Sequence, residues 1–330
     1  MKALVHEQKS GIDGLQIKDV QSQKMKEHEV KISIKYVGLN HRDLINIEGH
    51  KDLSKTLYMG EDAAGIVIET GSGVTSIKIG DKVMINGGLN WNKNSAAPPE
   101  QFEVIGNTRI GSFAEEIVYP AESVVNVPSY LTMEEAGAFS LGGLTAYRAL
   151  FTQGQVNKGM KILIPGIGGG VANFLLSFAK AAGAFVYVTS RSEDKLNKAK
   201  LSGADKTALN DEDWNDIFGE KVDVVIESVG AATFNKSLAT LKPGGTMVLF
   251  GSSTGNLVEF NLRNFFVQQY TLKGSMMGSQ EELVDMIAFS EKHLIKPLID
   301  TVYPFEDYKK AFERLTEAKQ TGKIVLKIAD

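Results

Sequence analysis

With 330 residues, 43% of them hydrophobic and 23% charged, the chain has the composition of a soluble globular protein with room for one large domain or two ordinary ones. A net charge of −4 without a long basic run argues against nucleic acid or an anionic membrane surface as a main partner, and no run of about 18 apolar residues calls for a spanning helix. Cysteine is absent, which excludes disulfides, thiol nucleophiles and thiolate zinc sites and fits a reducing cytoplasm.

The opening "MKALVHEQKS" turns polar too soon for a signal peptide. The first 130 or so residues read as mainly β. In "EVKISIKYVGLN" Val30, Ile32, Ile34 and Tyr36 alternate onto one face, as a half-buried strand requires. "AGIVIETG", "DKVMING" and "SFAEEIVYP" are further short strands closed by Gly, Asn or Pro. Residues 86–111 form a turn-rich insertion with little periodicity, the pattern of a lobe, a lid or a disordered tip.

From about Thr132 the chain alternates strand and helix. "MEEAGAFSLGGLTAYRALF" is helical, followed by strand 160–164, helix 170–182, strand 184–190, helix 192–203, strand 222–227, helix 231–241 and strand 245–250. Strands as apolar as "VDVVIES" and "TMVLFGS" belong in a parallel sheet covered on both faces. A helix near 280–292 and a second, "FEDYKKAFERLTEAKQ", follow. The second carries Phe305, Tyr308, Phe312 and Leu315 at helical spacing, a stripe for core packing. "GKIVLKI" closes the chain as a strand able to return to the first domain.

The strongest signal is "KILIPGIGGGVANFLLSFAKAAGA", where four glycines fall in the five positions 166–170 between a strand and a helix. Bare backbone at a helix N-terminus is where a dinucleotide pyrophosphate sits, because free N–H groups and the helix dipole face the phosphates. The strict G-x-G-x-x-G template fails at Val171, but Gly166-x-x-Gly169-x-x-Ala172 keeps a small residue where helix and strand pack. An NAD enzyme carries an acid about 20 residues past the glycines, at the next strand's tip. Here that place holds Ser190 and Arg191, with Lys195 one turn on, while Glu193 and Asp194 read as first-turn helix residues. Ser190, Arg191 and Lys195 make a seat for a 2′-phosphate, so NADP(H) is the expected cofactor. A charge-assisted contact there is worth about 1.5–3 kcal/mol.

Taken together, "GLNHRDL" (38–44), "GEDAAGIV" (60–67), "GSFAEEIVYP" (111–120), "GLTAYRAL" (143–150), the glycine turn, "SGAD" (202–205), "LKPGGTMVLFG" (241–251) and "GKIVL" (322–326) resemble the medium-chain dehydrogenase/reductase superfamily over nearly the whole chain. The resemblance implies an α/β protein: a Rossmann doubly wound parallel sheet at 131–276, and a mainly β, GroES-like catalytic domain split between 1–130 and 277–330. It also implies cofactor contacts by Thr145, Gly168, Gly169, Gly170, Val171, Ser228, Val229, Gly230, Gly251 and Ser252, and by Lys323 close to the adenosine phosphate. The strand in "YTLKGSM" would be a sheet edge, and edges are paired or covered, so a homodimer joined there is expected.

The departures from the family concern metal. Its zinc alcohol dehydrogenases have a Cys where this chain has Asn40, a His where it has Glu61, and a Cys or acid near Gly137; the four-Cys zinc lobe is replaced by the insertion 86–111. Asn40 and Asp43, with Gly60-x-Asp62-x-Ala64-Gly65, resemble instead the zinc-free quinone oxidoreductase branch, whose members still carry zinc-type alcohol dehydrogenase-like descriptions. In that branch the Asn lies near the nicotinamide. No metal is expected, although His41, Glu61 and Asp62 offer ligands for the alternative, a zinc-dependent alcohol or polyol dehydrogenase. Asn40, His41 and Asp43 are the catalytic candidates, His41 as a proton donor, with Asp43 and Asp62 equally readable as structural loop carboxylates. Without zinc, plain alcohol oxidation loses its electrophilic helper. The expected reaction is hydride transfer from NADPH to a small electrophile with its own electron sink, a quinone or an alkene conjugated to a carbonyl. A non-catalytic NADPH-binding protein is the third reading.

Overall fold

The computed structural model describes residues 1–106 and 109–329. Two compact units emerge, residues 1–142 with 278–330, and residues 143–277. No helix among the described residues is long and apolar enough to cross a membrane.

The first unit opens with β1 (Lys2–His6), β2 (Leu15–Asp19), β3 (Glu29–Gly38), α1 (His41–Gly49), β4 (Leu57–Tyr58), β5 (Ala64–Thr70) and β6 (Lys82–Ile85). It continues with β7 (Gly88–Leu89), β8 (Glu103–Val104), β9 (Glu116–Pro120), β10 (Val124–Asn126) and α2 (Met133–Gly137). After α3 (Ser140–Tyr147), the second unit runs through β11 (Lys161–Ile164), α4 (Gly170–Ala181), β12 (Phe185–Ser190), α5 (Glu193–Leu201), β13 (Lys206–Leu209) and α6 (Trp214–Phe218). It ends with β14 (Val222–Glu227), α7 (Phe234–Thr240), β15 (Leu241–Leu249), α8 (Leu262–Val267) and β16 (Thr271–Gly274). The chain then returns to the first unit as α9 (Gln280–His293), β17 (Ile299–Pro304), α10 (Tyr308–Thr316) and β18 (Lys323–Lys327).

In the first unit β3 is the central strand, pairing antiparallel with β5, β9 and β18. Val30, Ile32 and Ile34 alternate into the core as expected, but the pairing with β5 shifts register between Ile34 and Tyr36. The extra residue of a bulge flips the faces beyond it: Val37 is buried and Tyr36 half-buried, the reverse of strict alternation. The C-terminal stripe completes this core, with Phe305, Phe312 and Leu315 buried and Phe312 edge-on to Phe113 at 6.4 Å. The insertion is a folded lobe in its described part, with residues 107–108 outside the described chain. Trp91 is buried against Phe102, and the carbonyls of Trp91 and Asn92 accept from the first N–H groups of α9.

The boundary between the units lies about a dozen residues later than residue 130, at Gly142, and the physical reason is α2. Gly137 lies so close to β3 that a Cβ there would sit 2.6 Å from Tyr36 Cβ and from its carbonyl oxygen. The short helix is therefore seated on the first unit's sheet and belongs to it.

In the second unit all strand pairs are parallel, in the order β13-β12-β11-β14-β15-β16. This is the doubly wound order whose direction of winding reverses between the first strand and the fourth, here β11 and β14. Ligands of such sheets bind beyond the carboxyl ends at that reversal, which is where the glycine turn leaves β11.

Gly137→Val is expected to lower the free energy of unfolding in urea by about 1–3 kcal/mol, because its side chain has no space against Tyr36. An unchanged denaturation midpoint would mean that α2 is not seated as described.

Candidate functional site

The glycine turn is built from a buried strand outward. Ile162, Leu163 and Ile164 are fully packed, and after Pro165 the backbone takes positive φ at Gly166 (+72°) and Gly168 (+135°), which side-chain-bearing residues rarely adopt. Ile167 N donates to Thr189 O at 2.8 Å, tying the turn to the end of β12. Helix α4 then starts at Gly169, which has no side chain to cap it, so the first-turn N–H groups of Gly170, Val171 and Ala172 receive no side-chain cap. Asn173 Nδ2 holds Gly169 O at 2.9 Å and steadies the entry. The Lys195 side chain lies across the turn: a Cβ at Gly168 would be 2.6 Å from Lys195 Cδ and 3.1 Å from its Nζ. Positive dipole, uncapped amides and an ammonium thus meet at one point, and the turn fits a pyrophosphate.

Beyond the tip of β12, Ser190 is buried with its Oγ accepting from Ser192 N at 3.2 Å, and Arg191 is exposed. Ser190, Arg191 and Lys195 therefore stand at the strand tip and the turn, as the spacing anticipates. Thr145 is half-buried on α3. Ser228, Val229 and Gly230 follow β14, and Gly251 and Ser252 follow β15. The two loops are bonded to each other, Thr254 N donating to Val229 O at 2.8 Å. What fixes them went unnoticed in the sequence: Glu227, wholly buried, accepts from the N–H groups of Val229 and Gly230 and from the hydroxyls of Thr233 and Ser237. Its signal was an acid at the carboxyl end of an apolar parallel strand.

The first unit holds a second polar constellation around the N-terminus of α1. Asp43 Oδ2 accepts from Asn40 N at 2.7 Å, the carboxylate half of a capping box, which leaves Asn40 Oδ1 available for Lys323 Nζ at 2.6 Å. Lys323 also reaches Asp62 Oδ2 at 3.2 Å, and Asp62 Oδ1 accepts from Ser140 Oγ and Leu141 N. Glu61 Oε1 accepts from Arg42 Nε at 2.7 Å and Asn46 Nδ2 at 3.1 Å. Asp43, Glu61, Asp62 and Lys323 are all buried. Burial, and then the neighbouring charge of Glu61, pushes the Asp43 carboxyl up to about 8, and burial also raises Glu61 against the pull of Arg42.

The catalytic candidates thus separate. Asn40 sits at the centre of the constellation. Asp43 is a buried cap that the fold withdraws from solvent, so its placement is structural. His41 is exposed and has no hydrogen-bond partner among the described residues, so nothing orients it as a proton donor. Lys323, implied by resemblance to lie near the adenosine phosphate, has two of its three ammonium protons engaged by Asn40 and Asp62; only the third remains for any phosphate. Arg42 was not singled out in the sequence, and its ion pair with Glu61 becomes visible only in the fold.

The same constellation decides how zinc fits. Asn40 and Glu61, the positions at which the resemblance expects metal ligands, face an ammonium and a guanidinium. Among the described residues no group of three or more His, Cys, Asp or Glu side chains is arranged to hold a metal ion. Zinc favours imidazole and thiolate donors and takes carboxylates as part of a tetrahedral set, whereas here the carboxylate and amide already face cations that it would have to displace. The donor set does not fit zinc.

Comparison with known proteins agrees with the fold. Residues 26–129 match the alcohol dehydrogenase GroES-like domain family and residues 170–292 the zinc-binding dehydrogenase family. A zinc-type alcohol dehydrogenase-like protein of Schizosaccharomyces pombe is 33% identical over 99% of both chains. A crotonyl-CoA reductase of Streptomyces avermitilis is 28% identical over 81% of this chain and 67% of its own. The crystal structure of an NAD-dependent alcohol dehydrogenase superposes with a TM-score of 0.92 at 29% identity, each chain covered completely. The chain belongs to the medium-chain dehydrogenase/reductase superfamily. It is accordingly an oxidoreductase that works with a nicotinamide cofactor.

The buried carboxyl of Asp43 gives a pH signature. Its native pKa of about 8 lies above the ordinary value of 3.8, so the folded state keeps a proton that the unfolded chain releases. The resulting stabilisation is complete below about pH 4 and is lost as pH rises to about 8. Asp43→Asn keeps an acceptor for Asn40 N and removes the titration. Relative to that variant, the wild type is expected to lose thermal stability steadily from about pH 4 to 8; parallel curves would show that Asp43 ionises as freely folded as unfolded.

Proposed function

We propose that the protein is a zinc-independent reductase that transfers hydride from NADPH to a quinone, an enone or a similar conjugated carbonyl. The observation that carries this reading is the occupation of Asn40 and Glu61 by Lys323 and Arg42. A site whose carboxylate and amide are already held by side-chain cations makes a poor metal seat for binding an alkoxide, so it suits substrates that accept the hydride's electrons into their own conjugated system. The name of the 28%-identical crotonyl-CoA reductase describes a reduction of that kind and supports it.

The preference for NADPH rests on the tip of β12, where Ser190, Arg191 and the turn-spanning Lys195 offer one hydroxyl and two cations and no carboxylate. The turn residues Gly168, Gly169, Gly170 and Val171 would hold the pyrophosphate. The loops at Ser228, Val229, Gly230, Gly251 and Ser252, with Thr145, would line the dinucleotide, and Asn40 would face the nicotinamide. The protein is proposed to work as a homodimer. Among the described residues β16 pairs with β15 alone, and the neighbouring Leu257, Leu262, Phe266 and Val267 are exposed. An unpaired edge beside apolar side chains suits a second copy of the same edge.

The test is a fluorescence titration of metal-stripped protein with NADPH and NADH, followed by turnover with a quinone and an enone. NADPH is expected to bind at least about tenfold more tightly, and Lys195→Ala together with Arg191→Ala to erase most of that margin. Equal affinity for NADH would overturn the cofactor assignment. Activity that appears only when zinc is returned would restore the alcohol dehydrogenase reading. Tight NADPH binding without turnover of either electrophile would point to a non-catalytic binding protein.

A further inference from the structure

Three loops stand at the carboxyl end of the parallel sheet: the glycine turn after β11, residues 228–233 after β14 and residues 250–256 after β15. Glu227 ends β14, and its side chain is withdrawn from solvent completely. Its Oε1 accepts from Val229 N at 2.7 Å and Gly230 N at 3.2 Å. Thr233 Oγ1 lies 3.0 Å from both carboxylate oxygens, and Ser237 Oγ donates to Oε2 at 2.6 Å. Each of these partners is uncharged. Stability alone does not account for a carboxylate buried without a counter-charge; what it does is fix the residues that follow it.

Val229 is where the three loops meet. Its amide is held by Glu227. Its carbonyl accepts from Thr254 N at 2.8 Å and Thr254 Oγ1 at 2.7 Å, which ties down the loop after β15, exposed over residues 251–256. Its side chain lies on the glycine turn, for a Cβ at Gly166 would stand 2.6 Å from Val229 Cγ2. Gly230, at φ +88°, makes the other close approach: a Cβ there would stand 2.7 Å from Gly255 O and 2.8 Å from Ser252 Cα. With no slack on either side, the position of the Val229 and Gly230 amides sets the spacing of all three loops.

We propose that Glu227 is the positioning residue of the dinucleotide site: through those two amides it sets Val229 against the glycine turn and holds the loops after β11, β14 and β15 at the spacing the cofactor enters. Glu227 is itself enclosed and touches no cofactor. The inference rests on the pyrophosphate seat at the glycine turn proposed above, and is independent of the electrophile reduced and of the choice between NADPH and NADH. A loop freed from Glu227 reaches the competent spacing only part of the time, and the apparent affinity falls by that fraction.

The donors supply the contrast for the test. The hydroxyls of Thr233 and Ser237 can turn from donor to acceptor, whereas the backbone N–H groups of Val229 and Gly230 cannot. Glu227→Gln therefore keeps every group paired, its carbonyl on the two amides and its NH2 on the two hydroxyls, while Glu227→Met leaves both amides buried and unpaired. Fluorescence titrations with NADPH and with NADH are run at a temperature where circular dichroism shows each variant folded. Glu227→Met is expected to weaken both dinucleotides by about 10–100-fold, and Glu227→Gln by no more than about threefold. Val229→Ala should produce part of the loss, and combining it with Glu227→Met should add nothing, because both act through one contact. A merely structural carboxylate would lower the unfolding midpoint and leave the affinity of the folded molecules unchanged. If Glu227→Met does not fold, Glu227→Asp, one methylene too short to reach both amides, takes its place with the same expectation. Affinity within about threefold of wild type in that folded variant overturns the inference, as do a Glu227→Gln as weak as Glu227→Met and losses that multiply in the double variant. A wild type that binds neither NADPH nor NADH overturns the pyrophosphate seat and this inference with it.

Discussion

Lys323 is a full positive charge taken almost out of water, and the first unit is arranged so that it is never alone. The ammonium side chain is 4% exposed and the carboxylate of Asp62 is wholly enclosed. An isolated charge in such a place would be expelled or neutralised, so each must find partners from the protein. The partners come from four distant stretches: β18 supplies the lysine, the N-cap of α1 supplies Asn40, the turn before β5 supplies Asp62, and Ser140 and Leu141 supply donors to its other oxygen. The constellation can therefore close only when the last strand of the chain has docked against β3. A split domain thereby makes its polar centre depend on both of its ends, and removing either Lys323 or Asp62 would leave the other buried without its counter-charge.

The second unit is held by a different logic, since its strands are apolar on both faces and need no charge to specify them. That is why its organisation was legible early. Runs such as "VDVVIES" announce a covered parallel sheet, and the glycines after "KILIP" announce a turn whose backbone must come close to something. Even the cations at the tip of β12 could be found by counting. Glu227 shows in the sequence only as an acid at the end of an apolar strand, and "IESVG" does not reveal that its carboxylate will collect four donors from the following loop and helix.

In the first unit local pattern misled in specific ways. Alternation in β3 is sound as far as Ile34 and then breaks, because a bulge is a property of two paired strands and not of one. The helix α2 looked continuous with the strand–helix alternation that follows it, yet a glycine contact on Tyr36 assigns it to the earlier sheet. Nothing in "NHRDL" singles out Arg42. Its partner Glu61 lies 19 residues away, and the buried geometry that distinguishes an anchored guanidinium from a solvated one exists only after folding.

The pairing of Asn40 with Lys323 and of Glu61 with Arg42 also bears on which reactions the site can support. Zinc polarises a bound oxygen and lowers the pKa of a coordinated hydroxyl, which is what alcohol oxidation requires. An ammonium and a guanidinium supply fixed positive charge but no open coordination position. Their charges are largely offset by Asp62 and Glu61, so what remains for a ligand is directional hydrogen bonding rather than Lewis acidity. Hydrogen bonding of that kind stabilises an oxygen that becomes anionic through conjugation far better than it ionises an alcohol. On the proposed reading, a fold shared with zinc dehydrogenases reaches reduction of conjugated carbonyls with side-chain cations, Lys323 and Arg42, as the partners of Asn40 and Glu61 in place of a metal ion.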